Sequence, residues 1–143
     1  MHRTHTLYDL QQHLSTTPSS LFSLDTEVWY RTIEHEPIYK LSNQDLLKVI
    51  RHRLFTDSLI LEGIHRLYEN PVAGGLVEGE ILQSIANYVP KSFYDSHSAT
   101  KHALKEYCVM METFDVFSFY SWEDELAKRN SIYALESIKK RIK

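Results

Sequence analysis

Apolar residues recur along the chain at the three- and four-residue spacing of an amphipathic helix. The chain contains only four glycines and four prolines, so long stretches carry no residue that would end a helix. Residues 5–14 form the first predicted helix. It ends at a run of Ser, Thr and Pro over residues 15–20. Residues 21–41 show no clear period, and the stretch near 27–40 also allows a short strand or an extended segment.

The clearest helical region lies between residues 42 and 67. Ser42 and Asp45 have the spacing of a helix start, where a hydroxyl accepts a backbone N–H and an acid faces the positive helix end. The apolar positions then keep near a 3.6-residue period, with a break around residues 55–56. Gly63 costs about 1 kcal/mol against Ala inside a helix, and we expect a close-packed neighbouring helix to explain its presence.

Three further helices follow. The Gly74-Gly75 pair predicts a tight turn into a helix over about residues 76–88, which Pro90 ends. Two long helices are predicted over about residues 99–117 and 122–142, and the last carries acids in its first turn and basic residues at its end, as the helix dipole favours. The pattern therefore predicts an all-α fold, an irregular single-domain bundle of five or six helices over residues 1–143.

Composition and charge exclude several classes of protein. The formal net charge is -3 and the pI is near 6.2, whereas a protein that neutralises phosphates needs a basic face, so we expect no direct nucleic-acid partner. No run approaches the roughly 18 apolar residues that span a bilayer, so we expect no membrane partner. The single cysteine, Cys108, lies in an apolar run and indicates a buried side chain and a reducing, cytoplasmic location.

No motif predicts a catalytic, cofactor or metal site. The chain has eight histidines, but none stands in an HExxH pattern or another metal-ligand spacing. Neither GxSxG nor a glycine-rich phosphate loop can be written over the sequence. A catalytic group assembled from residues far apart in the chain stays open at this point.

The charge pattern points to an acidic sector between residues 57 and 80. It contains one Arg or Lys, Arg66, and five acids, so its net charge is -4. The acids are Asp57, Glu62, Glu69, Glu78 and Glu80. Acidic surfaces steer cationic partners and raise association rates. The structural alternative is a solvated helix face, and the acids beside Gly79 can instead stabilise a helix start.

Aromatic residues suggest a second contact feature. Phe93-Tyr94-Asp95 follows Pro90 in a polar stretch, and five aromatic residues lie between residues 114 and 122. Exposed aromatics beside acids make good interface anchors. Core packing is the commoner fate of such residues, above all for the cluster at 114–122.

An ordered series of short motifs between residues 41 and 94 resembles a family of immunity proteins from bacterial contact-dependent growth inhibition systems. That family carries a Leu-Ser-x-x-Asp-Leu helix start, an Ile-Arg pair, a Pro-x-Ala-Gly turn, an acidic-Gly-acidic-Leu-Leu element and an aromatic pair. The matching residues here are Leu41-Ser42-Asn43-Gln44-Asp45-Leu46, Ile50-Arg51, Asn70-Pro71-Val72-Ala73-Gly74, Glu78-Gly79-Glu80-Ile81-Leu82 and Phe93-Tyr94. The family often has Tyr-Asp-Gly-Asp where this chain has Val77-Glu78-Gly79-Glu80, and Phe-Trp at the aromatic pair.

The resemblance implies a protein partner, the toxic C-terminal domain of a large surface-delivered toxin that is encoded beside its immunity protein. Such toxins are frequently nucleases acting on transfer RNA, although others attack DNA or membranes. We expect stoichiometric occlusion of the toxin by an acidic, aromatic-bearing helical surface, with no catalysis. The candidate toxin-contacting residues are Asp57, Glu62, Glu78, Glu80, Tyr94 and Asp95. Reversing the charge at both Glu78 and Glu80 is expected to weaken toxin binding without unfolding the protein.

Two other classes of function remain open from the sequence. A regulatory or scaffolding module would self-associate through its helices, and an exposed apolar stripe on the 122–142 helix would favour it. A small hydrolase would need a deep pocket that holds a hydrogen-bonded His-carboxylate or nucleophile-His pair.

Overall fold

The computed structural model describes residues 2–11 and 23–143. This part of the chain is all-α, which confirms the predicted fold class, and contains 3₁₀-helices at His2–Thr4 and Ile38–Lys40. Its α-helices are α1 (Leu7–Leu10), α2 (Leu24–Ile33), α3 (Asn43–Arg51), α4 (Asp57–Glu69), α5 (Glu80–Tyr88), α6 (Lys91–Ser96), α7 (Ser98–Phe114), α8 (Val116–Phe119) and α9 (Glu125–Arg141). None of the helices in the described ranges has the length and apolar composition needed to cross a membrane.

The described helices outnumber the five or six predicted because breaks divide the longer stretches and short helices fill the connections. Arg53 has a left-handed backbone (φ 61°) between α3 and α4, and Asp115 has one (φ 48°) between α7 and α8. The Thr56 hydroxyl accepts the N–H of Leu59 at 3.3 Å and begins α4, which confirms the predicted break. Of the predicted helix over residues 5–14, residues 12–14 lie outside the described residues, as does the predicted break at 15–20.

The stretch near 27–40 is helical as far as Ile33 and again over Ile38–Lys40, and it contains no strand. The Ser23 hydroxyl accepts the N–H of Thr26 at 3.3 Å, so α2 has an ordinary N-terminal cap. Tyr30 and Ile33, three residues apart, are buried, while Leu24 and Val28 are exposed. The apolar face of α2 is therefore narrow, which is why the pattern did not reveal it. Extended pairing in this region is limited to an isolated bridge between Thr6 and Pro37.

Helix α5 lies at the centre of the fold and packs against α3, α4 and α9. Ile81, Leu82 and Ile85 are completely buried. A Cβ added at Gly63 on α4 would lie 3.3 Å from Cδ1 of Ile85. The predicted close approach of a neighbouring helix to this glycine is therefore confirmed.

The last helix closes the core over α5. Ile138 is completely buried and Ile142 is 3% exposed. The Arg141 guanidinium donates hydrogen bonds to the carbonyl oxygens of Ala86 and Val89, at and just beyond the end of α5. A cation at the end of a helix satisfies carbonyl groups that have no partner within the helix.

A buried carboxylate joins the N-terminal residues to the helical core. Glu62 on α4 is 1% exposed. Its Oε1 accepts a hydrogen bond from Nε of Arg3 at 2.7 Å, and its Oε2 accepts one from Nε of Arg66 at 2.8 Å. Arg66 also donates to Oδ1 of Asn43 at 3.0 Å and to the carbonyl oxygen of Ile38 at 3.1 Å. Burial alone would raise the pKa of Glu62, but the hydrogen bonds from the two arginines outweigh it and lower that pKa.

We predict that Glu62→Gln lowers the free energy of unfolding by about 3 kcal/mol at neutral pH, since it leaves the half-buried Arg66 guanidinium without a carboxylate partner. Because the folded pKa lies below the ordinary value of 4.5, the stabilisation by the charge is present above that pH and is lost as the pH falls through the folded pKa. The difference between wild type and variant should therefore shrink at about pH 3. Urea unfolding at both pH values measures it.

The matched control is Glu69→Gln. Glu69 is a largely exposed acid on the same helix, paired with His65, and its substitution should cost less than about 0.5 kcal/mol at either pH. An unchanged gap between wild type and Glu62→Gln across this pH range would contradict the assigned role of the charge.

Candidate functional site

The acidic residues predicted to form one sector do not form a continuous negative face. Glu62 is buried in the arginine network, so the prediction of Glu62 as a surface contact is wrong. Basic residues from outside the stretch also compensate its charge: Arg3 pairs with Glu62, and Arg51 pairs with Glu80 at 3.3 Å. Counting charges along the sequence missed these partners because they come from other elements.

Glu80 holds the turn that precedes α5. Its Oε1 accepts the backbone N–H of Leu76 at 2.6 Å and of Val77 at 2.5 Å, and its Oε2 accepts from Arg51. Burial would raise the pKa of Glu80, but the backbone N–H groups and Arg51 lower it. The Ile-Arg and acidic-Gly-acidic motifs therefore meet in one ion pair.

Glu78 ties the same turn to the start of the last helix. Its Oε1 accepts the N–H of Glu123 at 3.0 Å and of Asp124 at 3.1 Å. Gly79 between the two acids has a left-handed backbone (φ 82°), and a Cβ there would overlap the hydroxyl of Ser131 on α9. Because both carboxylates hold backbone in place, we now expect that reversing both charges also destabilises the fold.

The other motif residues also meet along α3. The Ser42 hydroxyl accepts the N–H of Asp45 at 3.0 Å, as the predicted cap requires. The Asn43 side chain donates to the carbonyl oxygen of Gly74 at 3.2 Å, and Oδ1 of Asn70 accepts the N–H of Val72 at 3.1 Å. Side chains therefore hold the turn at residues 70–79 at its start and at Gly74, in addition to the contacts of Glu78 and Glu80 near its end.

The remaining predicted contact residues lie apart from this turn in the sequence and differ in exposure. Tyr94 is 1% exposed, so its prediction as an exposed anchor is wrong. Burial raises its pKa, and its hydroxyl has no hydrogen-bond partner among the described residues. Asp95 is exposed and pairs with Lys91 at 3.2 Å. Asp57 is half-buried and accepts a hydrogen bond from the Thr100 hydroxyl.

A different surface presents exposed apolar side chains beside acids. Leu76 is 85% exposed and Phe119 is 84% exposed. Leu76, Val77 and Tyr120 line one shallow depression together with Glu78, and the Glu78 carboxylate beside the Tyr120 hydroxyl raises the pKa of that tyrosine. We group these residues with neighbouring residues of the same two segments, which the Glu78 hydrogen bonds join, and call the set the acidic aromatic surface: Leu76, Val77, Glu78, Phe119, Tyr120, Glu123, Asp124, Glu125 and Leu126.

Sequence reasoning favoured core packing for the aromatics at 114–122, and the structure divides them. Phe117 is buried and Trp122 is half-buried, with its indole Nε1 donating to the Phe117 carbonyl oxygen at 3.1 Å. Phe114 and Phe119 instead project into solvent. One sequence signal could have found this surface, because residues 112–127 contain five acids and no Lys or Arg.

The described residues bring together no group of three or more His, Cys, Asp or Glu that could hold a metal ion. A groove of about 460 Å³ beside the turn is lined by Arg51, Val77, Glu80, Gln83, Ser84, Asn87 and Tyr88, which include neither His nor Cys. The predicted burial of Cys108 is confirmed, and burial raises its thiol pKa to about 11.

We predict that Gly79→Ala lowers the free energy of unfolding by about 2–3 kcal/mol, from the left-handed backbone and the overlap with Ser131. Adding Ser131→Ala should recover part of this loss, since it removes the overlapping hydroxyl and leaves the backbone cost of about 1 kcal/mol and the milder contact with Nε2 of Gln83. A double-mutant cycle of chemical unfolding measures both values. Purely additive effects would show that the two residues do not crowd each other.

We also predict that Glu80→Ala lowers the free energy of unfolding by about 1–2 kcal/mol, because two backbone N–H groups and Arg51 lose their acceptor. Glu69→Ala, which removes an acid of the same type from an exposed pair with His65, should cost less than about 0.5 kcal/mol. Thermal and urea unfolding of both variants test this. Equal losses would mean that the Glu80 carboxylate does not hold the turn.

Comparison with known proteins agrees with the motif series. The family model of CDI immunity proteins matches residues 10–104, which include the turn at 70–79 and leave residues 105–143 unmatched. No curated protein matches the chain. The match covers 95 of the 143 residues, and the chain therefore belongs to the family of CDI immunity proteins.

Proposed function

We propose that this protein protects its producing cell by binding the toxin domain encoded beside it and occluding that domain stoichiometrically, without catalysis. The family match over residues 10–104 carries this proposal. A CDI immunity protein implies a toxin as its partner, and the toxin acts inside the cell it enters, so the cytoplasm is where we place the complex. Cofactors and direct contacts with nucleic acid or membrane have no part in it.

The packing of the molecule supports occlusion by a preformed scaffold. The central helix α5 is buried between three others, and carboxylates fix the turn before it. Such a scaffold loses little conformational freedom on binding, which favours tight association.

The charge of the protein supports a cationic partner. A nuclease that grips transfer RNA, our candidate toxin class, needs a basic substrate surface. A protein of net charge -3 with acidic side chains grouped beside exposed aromatics complements such a surface. Charge complementarity of this kind speeds the encounter and aligns the partners more than it adds affinity.

Self-association is the second candidate function, and α9 provides a specific observation for it. Leu126, Ile132 and Tyr133 on this helix are 57%, 43% and 68% exposed. A dimer of the protein alone in solution would favour a scaffolding role. A hydrolase gains no comparable support. The Ser96 hydroxyl lies 3.0 Å from Nδ1 of His97, but Ser96 is an exposed residue at the junction of two helices and not part of a deep pocket.

The proposal is tested by titrating the purified protein into the adjacent toxin domain and measuring residual toxin activity. We expect activity to fall linearly and to end at one equivalent, with a 1:1 complex in light scattering. A toxin domain from an unrelated CDI system serves as the control and should stay active. Loss of activity at far less than one equivalent would indicate catalysis, and no loss at any ratio would refute the function.

A further inference from the structure

The acidic aromatic surface leaves large apolar side chains in water. Leu76, Phe119 and Leu126 are 85%, 84% and 57% exposed. Single exposed apolar residues are common on proteins, but neighbouring ones that share a surface with charged groups mark interaction sites. Here the residues come from two separate segments that the fold brings together.

Direct contacts join the two segments. The Glu78 carboxylate accepts the N–H groups of Glu123 and Asp124, and Tyr120 lines the same depression as Leu76 and Val77. The Tyr120 ring lies 5.0 Å from the Trp122 ring, centroid to centroid, and packs edge to face on it. The exposed side chains therefore project from backbone that is already held in place, which lowers the entropy cost of docking.

The charge of this surface has one sign in both segments. Residues 76–80 and 119–126 contain five acids and no Lys or Arg, and within the described chain only Glu80 of these acids forms an ion pair, with Arg51. Local roles account for two others, because Glu78 holds the turn and Asp124 accepts the N–H of Leu126 to cap α9. Among the described residues, the side chains of Glu123 and Glu125 form no hydrogen bond or ion pair.

The surface also crosses the boundary of the family match. The turn at 76–80 lies within residues 10–104, whereas the segment at 119–126 lies beyond them. The surface thus combines a turn that the family pattern includes with a segment that it does not include. This combination suits a partner that differs from one family member to another.

We propose that the acidic aromatic surface is the docking site for the toxin domain, and that the toxin meets it with a basic face that carries an apolar recess. This inference rests on the proposed function and adds where on the protein the toxin domain binds. Phe119 and Leu126 provide the apolar contacts, and Glu123 and Glu125 provide the charges that the toxin's cations meet.

The apolar contacts are tested with Phe119→Ser combined with Leu126→Ser. The control is Leu24→Ser combined with Val28→Ser, because those side chains are 77% and 59% exposed on α2. Calorimetric titration with a catalytically inactive form of the adjacent toxin domain should show affinity reduced about 30-fold or more by the first pair. The control pair should stay within about twofold of wild type, and thermal unfolding verifies that both variants are folded.

The charges are tested with Glu123→Lys combined with Glu125→Lys. The control is Glu36→Lys combined with Glu69→Lys, which alters the net charge by the same amount at exposed positions elsewhere. The first pair should slow association about tenfold more than the control at low salt, and the difference should shrink as salt is raised. Stopped-flow association measures both.

The outcomes separate the location from the function. If the wild-type protein does not bind the toxin domain, the proposed function fails and the docking site fails with it. If the wild type binds and the Phe119 and Leu126 variant binds equally well, the function stands and the location is wrong. A wild-type dimer that this variant converts to a monomer, with toxin binding unchanged, assigns the surface to self-association and also overturns the inference.

Discussion

Two carboxylates that accept backbone N–H groups hold the centre of this molecule in place. Glu80 fixes the turn on one side of Gly79, and Glu78 connects that turn to the start of α9. Gly79 has no side chain, so α9 can approach until the Ser131 hydroxyl occupies the space of a Cβ. The buried face of α5 depends on this joint, because α5 begins directly after it. The sequence Glu78-Gly79-Glu80 suggests two acids that face solvent, but in the structure both carboxylates bind backbone and hold the turn in place.

Local signals in the sequence were sufficient for much of the fold. Ser42 and the break near Thr56 mark helix starts where the structure has them, and Gly63 lies where another helix comes close. These features depend on neighbouring residues or on the absence of a side chain, so one sequence reveals them. Helix α2 was not predicted because only a narrow face of it is buried, and the short helices α6 and α8 are too brief to show a period of their own.

The candidate site was less predictable, since charge along a sequence differs from charge in space. Arg3 and Arg51 are far in sequence from the acids that they pair with, and Glu62 is buried although it lies in an acidic stretch. Burial also reassigned Tyr94 from a contact residue to the core. The expected combination of acids and exposed aromatics exists, but it lies at 119–126 beside the turn. Its sequence signal was the long absence of basic residues around those aromatics.

The position of α9 has a consequence for how the protein is made. This helix supplies the last apolar layer over α5 and the arginine that covers carbonyl groups at its end. A chain still on the ribosome cannot bury that layer before these residues emerge, so the face of α5 that α9 covers stays open until then. Nascent chains that stall earlier expose apolar surface to chaperones and proteases. The turn at 70–79 and α5 are therefore made before the helix that covers them, and a nascent chain that stops between the two leaves this apolar surface uncovered.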